Sequence, residues 1–161
     1  MSTETPSAVE LAPPPEATLA RRACVVLLGG RPFAVDAADA REVVVLGTTT
    51  PVPGAPPSVV GVMTLRGNVL PVVEARPLLG LSAHTRSDRA LVLAAGEWCA
   101  AIVIEGVVGL APLDGIDASA ASAGDLTVGQ VIAETGDRAR LLDTPALLAA
   151  IRRAWDPVSG G

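Results

Sequence analysis

The residues able to carry covalent or metal chemistry are few in this chain. One imidazole, His84, and two thiols, Cys24 and Cys99, are the whole supply for a cysteine–histidine dyad. Cys99 stands inside the apolar run WCAAIVI and Cys24 inside ACVVLL, surroundings in which a thiol stays neutral and inert. His84 belongs to a polar connector, Ser82–Asp88, beside no cysteine cluster and no second histidine. Neither a zinc ligand set nor a nucleophile–base pair is spelled out. The expectation is two buried, reduced thiols and a solvated imidazole, with no catalytic residue, no metal and no cofactor.

Recognition chemistry is better represented. Arg66-Gly67-Asn68 forms a tight polar step between two apolar runs, Val59–Leu65 and Val69–Val73. The guanidinium is a planar fork of five donors that keeps its charge, and the glycine lets another backbone approach closely. Glu42 sets an acid at the head of a second apolar run that begins at Val43. Exposed apolar strand surface supplies burial at an interface, and a few charges fix its register. Arg66, Gly67, Asn68, Glu42 and Val43 are therefore the candidate partner contacts. A second reading of Arg66 stays open: an internal ion pair, to Glu74 or another acid, that braces the hairpin. Asp143 reads as a residue that leads a helix.

The elements that must position these groups are mostly strands. Ala23–Leu28 and Arg31–Val35 make a hairpin through Gly29-Gly30. Asp36 is placed to cap a single helical turn, after which Val43–Leu46 reads as a buried strand. Thr48–Ser58 is a proline-stiffened loop that delivers the chain to the central hairpin carrying Arg66. Glu74–Gly80 follows as a short helical stretch closed by glycine. A second hairpin joins Arg89–Ala94 to Trp98–Glu105 around Ala95-Gly96-Glu97. Gly106 and Gly109 then mark a bend or bulge. Residues 111–125 suggest a loop or short helix without a defined place. A third hairpin joins Leu126–Glu134 to Arg138–Leu142. The final helix, Ala146–Trp155, is expected to start with Thr144 at the N-cap and Pro145 at the first helical position, and to stop at Pro157.

An internal echo bears on architecture. Glu74 is followed by Leu78 and Leu79, and Asp143 by Leu147 and Leu148, each acid closing an apolar strand behind a glycine-containing turn. Two copies of hairpin-then-helix suggest two similar barrel subdomains. Residues 1–20, interrupted by Pro6 and Pro13–Pro15, read as a disordered tail, residues 21–155 as the folded domain, and 156–161 as a flexible end.

Composition excludes several classes. Hydrophobic residues make up 50% of the 161, enough to bury a full core. Aromatics are 2% and the net charge is -5, so neither stacking platforms nor a basic footprint for nucleic acid exists. No apolar run reaches the roughly 18–20 residues of a membrane helix, which speaks against direct membrane insertion. The N-terminus, with Glu4 and Glu10, has no basic region leading into an apolar core as a secretory signal would. With two reduced thiols, this reads as a cytoplasmic protein.

Taken in order, these residues resemble the CheW-type chemotaxis coupling family over about Arg22–Ile151. Phe33-Ala34-Val35-Asp36 with Arg41-Glu42-Val43 resembles the opening strand and its acid-plus-aliphatic step. Pro51-Val52-Pro53, Gly61-Val62-Met63-Thr64-Leu65-Arg66-Gly67 and Val69-Leu70-Pro71-Val72-Val73-Glu74 resemble the central signature. Ile102–Val107 and Leu141-Leu142-Asp143 resemble the later landmarks. Thr64, Ala75 and Ala40 depart from the family's usual Asn, Leu and larger aliphatic, and Glu74 and Glu105 from its more frequent Asp. The resemblance implies a mainly β fold of two packed, five-stranded SH3-like barrel subdomains, a few short helices and a C-terminal helix. It also implies a non-enzymatic adaptor between the cytoplasmic tip of a chemoreceptor and the regulatory domain of a CheA-type histidine kinase, recruited to membrane-associated receptor arrays. A CheW-like adaptor of a gliding, pilus or developmental pathway, or a small-ligand-binding β-barrel, is the alternative.

Overall fold

The computed structural model describes residues 21–82, 86–118 and 126–155. The sequence readings of the N-terminal tail, His84, much of 111–125 and the C-terminal end fall outside these residues. The strands are β1 (Arg22–Leu28), β2 (Arg31–Asp36), β3 (Ala40–Val45), β4 (Val59–Leu65), β5 (Asn68–Val73), β6 (Arg89–Ala95), β7 (Trp98–Ile104), β8 (Gly106–Pro112), β9 (Thr127–Ile132) and β10 (Arg138–Leu142). A 3-10 turn at Pro77–Leu79 follows β5, and a helix, α1 (Thr144–Trp155), follows β10.

The strands form two five-stranded sheets of matching order, β8-β1-β2-β10-β9 and β3-β6-β7-β5-β4. Along the chain the series hairpin, edge strand, hairpin occurs twice: β1–β2, β3, β4–β5, then β6–β7, β8, β9–β10. The leading hairpins are exchanged, so β1–β2 completes the sheet of β8–β10 while β6–β7 completes the sheet of β3–β5. The registers repeat as well. Each sheet has one short parallel junction, Leu141 beside Ala34 and Val72 beside Ala101. Each of the four edge strands carries one bulged residue: Arg41 on β3, Val60 on β4, Val108 on β8 and Val128 on β9.

Each sheet curls until its edges meet. Beyond β3, Thr50 pairs with Val62 on β4; beyond β8, Asp117 pairs with Gln130 on β9. Glycine permits both closures. A Cβ on Gly61 would lie 2.5 Å from the Thr50 carbonyl oxygen, and one on Gly129 would lie 2.7 Å from that of Asp117. The sheets are thus the two barrel subdomains that the internal echo of the sequence suggested.

Strand alternation places side chains in three apolar clusters. Val25, Ala34 and Leu141 fill the interior of the first sheet, and Leu70, Val72 and Val92 that of the second. Val26, Phe33, Leu93, Ile102 and Leu147 occupy the seam between the sheets, roofed by α1. Both faces of β1, β2, β6 and β7 are therefore buried, and these strands read as continuous Val, Leu, Ile and Ala runs. Full burial of each such aliphatic side chain contributes roughly 1.5–3 kcal/mol.

Several local expectations need correction. Asp36 caps no helical turn: it ends β2, and its Oδ1 accepts from the Ala38 N–H at 2.9 Å within a three-residue turn. Val43–Leu46 is not a buried strand. The strand is Ala40–Val45, and as an edge it leaves Val43 39% and Val45 65% exposed. Asn68 belongs to β5, so the central turn is Arg66-Gly67 alone. At α1 the N-cap is Asp143, whose Oδ1 accepts from the Ala146 N–H at 3.1 Å, while the buried Thr144 hydroxyl has no partner. The glycine reading of β8 and the αL cap at Gly80 stand as expected.

Candidate partner-binding site

The β4–β5 turn places Arg66 in the left-handed region, φ 50, followed by Gly67 at φ 84. Among the described residues Arg66 is the one non-glycine residue with positive φ. Two-residue hairpins favour such turns because their twist matches the strands, but the first position ordinarily takes Asn, Asp or Gly. Holding an arginine there carries a backbone cost.

The side chain crosses to β3. Its Nη2 donates to Glu42 Oε1 at 2.7 Å and its Nη1 to Oε2, a bidentate fork on one carboxylate. β3 and β4 are opposite edges of the sheet, so barrel closure brings these two residues together. Arg66 keeps 69% of its side chain exposed and Glu42 30%. The hydrogen bonds from Arg66, reinforced by its charge against some desolvation, hold the Glu42 carboxyl below its ordinary range. The same pairing raises Arg66. Of the candidate contacts, Arg66, Gly67, Asn68, Glu42 and Val43, all are at least partly exposed, and Val45 extends the apolar edge beyond them.

The internal ion pair considered for Arg66 thus exists, but its partner is Glu42. Glu74 serves another arginine, which the sequence reading passed over. Arg76 is 3% exposed and lies between two acids: its Nε and Nη2 donate to Glu74 at 2.7 and 2.6 Å, and its Nη1 to Glu105 at 2.8 Å. Glu105 also accepts from the N–H groups of Gly29 and Gly30 at 2.7 and 2.8 Å. Burial pushes the Glu105 carboxyl up, but the Gly30 N–H, Arg76 and the Gly29 N–H outweigh it and leave it lowered. Arg76 is raised, first by Glu74 and despite burial. This cluster ties the ends of β5 and β7 to the β1–β2 turn, and so joins the two sheets. The signal available in sequence was Glu74-Ala75-Arg76 immediately before a proline.

Among the described residues no group of three or more His, Cys, Asp or Glu could hold a metal ion, and no helix is long and apolar enough to cross a membrane. Both cysteines are free and only partly buried, less than the sequence implied, and burial pushes the Cys24 thiol up.

Known proteins place this geometry in context. A family model described as the CheW-like domain matches residues 22–152. The chemotaxis protein CheW of Rhizobium meliloti (strain 1021) is 37% identical over 68 residues, covering 42% of this chain and 44% of that protein, so the match spans less than half the relative's length. The crystal structure of the scaffolding protein TtCheW from Thermoanaerobacter tengcongensis superposes with a TM-score of 0.67 at 19% identity, over 76% of this chain and 88% of that one. That likeness concerns the fold. With the family model covering nearly all of the described residues, the chain belongs to the CheW-like domain family, a family of non-enzymatic scaffolds.

Proposed function

We propose that this chain is a scaffold in a chemotaxis-type signalling assembly, coupling the cytoplasmic tip of a chemoreceptor to the regulatory domain of a CheA-type histidine kinase at membrane-associated arrays. The observation that carries the reading is the exposed Arg66–Glu42 fork beside the uncovered apolar edge of Val43 and Val45. An exposed bidentate pair adds little to fold stability, yet here an arginine is held in an unfavourable backbone conformation to make it. That arrangement suits a contact surface: aliphatic strand for burial, and a fixed pair of charges for register.

The test is co-assembly of the full chain with a receptor signalling fragment and a kinase regulatory domain, measured beside thermal unfolding on the same preparation. Arg66→Ala is expected to weaken assembly by about tenfold to a hundredfold, the range for losing a charged interface anchor. Arg66→Lys restores only part of it, because an ammonium cannot reproduce the fork. Unchanged assembly in both variants would overturn the assignment of this site. Failure of the wild-type chain to join either partner would overturn the function.

A further inference from the structure

A cleft of about 390 Å³ opens between α1 and the sheet of β3–β7, and neither Arg66 nor Glu42 lines it. Its origin lies in the sheet. β5 runs parallel to β7 only at Val72 beside Ala101 and Val73 beside Ile102. One residue earlier stands Pro71, which has no N–H to extend the ladder, and there Val69 and Pro71 line the cleft with Trp98, Cys99 and Ala100. In the other sheet the matching junction is Leu141 beside Ala34, and the residue before Ala34 is Phe33. Phe33 is wholly buried, with Arg140 stacked 5.7 Å from its ring centroid. Where that junction has a phenyl ring, the cleft has the methyl group of Ala100.

The walls are apolar except at one place. Arg152, from the last turn of α1, lies 4.6 Å over the ring of Trp98, which is 46% exposed. Stacking fixes the guanidinium without using its donors, and no described carboxylate pairs with it. The volume falls in the range of small-ligand sites, which combine apolar walls with a few placed polar groups. We propose that this cleft binds a small amphiphilic anion, its acidic head on Arg152 and its apolar body between Val69, Trp98 and Leu148. This assignment does not depend on the signalling role.

Cys99 lines the cleft and reports on it, with Cys24 as an internal reference. The full chain is titrated with decanoate, and in parallel with decanol, while modification of each cysteine by a maleimide is followed by peptide mapping. Decanoate is expected to protect Cys99 saturably and leave Cys24 unaffected, and to bind about tenfold more tightly than decanol because of the charged contact. Arg152→Gln should abolish that preference without weakening decanol. Val69→Glu, at a position 65% exposed and therefore safe for folding, should weaken decanoate by adding a competing carboxylate to the lining that Arg152 shares. Equal protection of both cysteines, equal affinity for acid and alcohol, or a preference that survives Arg152→Gln would each overturn the proposal.

Discussion

The two barrels are closed by matching backbone bridges, Thr50 with Val62 and Asp117 with Gln130, but the hairpin turns beside those bridges are tied down in different ways. In the first sheet the β9–β10 turn is tied to the edge strand by the backbone, Glu134 N–H donating to the Leu110 carbonyl at 3.0 Å. In the second the β4–β5 turn meets its edge strand through the side chains of Arg66 and Glu42. A backbone bond is indifferent to sequence and offers a partner nothing distinctive. A clasp of two exposed charges can be shared with or rearranged by a partner. The second contrast is between the two arginines. Arg76, with both acids at its sides, is enclosed at the joint of the sheets, whereas Arg66 meets its one acid, Glu42, at the surface. One is enclosed where the two sheets join, and the other is carried at the surface of a single sheet.

The largest effect should come from breaking the enclosed arginine. Arg76→Ala leaves Glu74 and Glu105 as uncompensated acids in a mostly buried site, and an expected loss of about 3–5 kcal/mol in denaturant unfolding follows. A cost as small as that of a surface substitution would erase the distinction between the two arginines.

Next comes a substitution that separates folding from binding. Arg66→Asn puts a residue suited to the left-handed conformation beside Gly67 while deleting the cation. The melting temperature should stay equal or rise, and assembly with receptor and kinase should fall by about tenfold or more. Loss of both together would make the clasp a brace after all.

Acid titration sharpens the contrast further. The Glu105 and Glu42 carboxyls are both lowered in the fold. The stability they confer is fully present above their ordinary pKa, about 4.3, and is lost as pH falls through the lower folded values. Glu105→Gln should flatten the acid limb of the stability curve markedly, and Glu42→Gln only slightly, since its pair is exposed and screened. Equal flattening would mean that burial does not separate the two sites.

The smallest effect serves as the baseline. Deleting residues 1–20, a segment without apolar periodicity, should leave the melting temperature within about a degree. A shift of several degrees would show that the barrels alone are not the folding unit.

Much of this organisation was legible from residue order. The hairpin turns at Gly29-Gly30, Arg66-Gly67 and Gly96-Glu97 follow from glycine between apolar runs, and the twofold echo of Glu74 and Asp143 marked equivalent places in the two barrels. Burial of β3 was misread because four aliphatic residues in a row look the same on a central strand and on an edge. The helical turn at Asp36 was misread because an acid before small residues caps a helix and a tight turn equally well. The Arg66–Glu42 pair escaped detection because it depends on curvature that brings opposite sheet edges together. The joint at Arg76 needed three segments at once, and no local pattern contains Gly29, Glu74 and Glu105 together.

The exchange of leading hairpins has a practical consequence. No single cut of the chain separates one barrel from the other. A break between Ser82 and Arg86 would yield two fragments, each carrying a hairpin that the other's sheet requires and each lacking the partner for its own. Neither fragment can bury the seam of Phe33, Leu93 and Ile102 alone, whereas the pair together restores every strand neighbour. The molecule is thereby suited to use as a split reporter, in which recovery of structure registers the meeting of two halves.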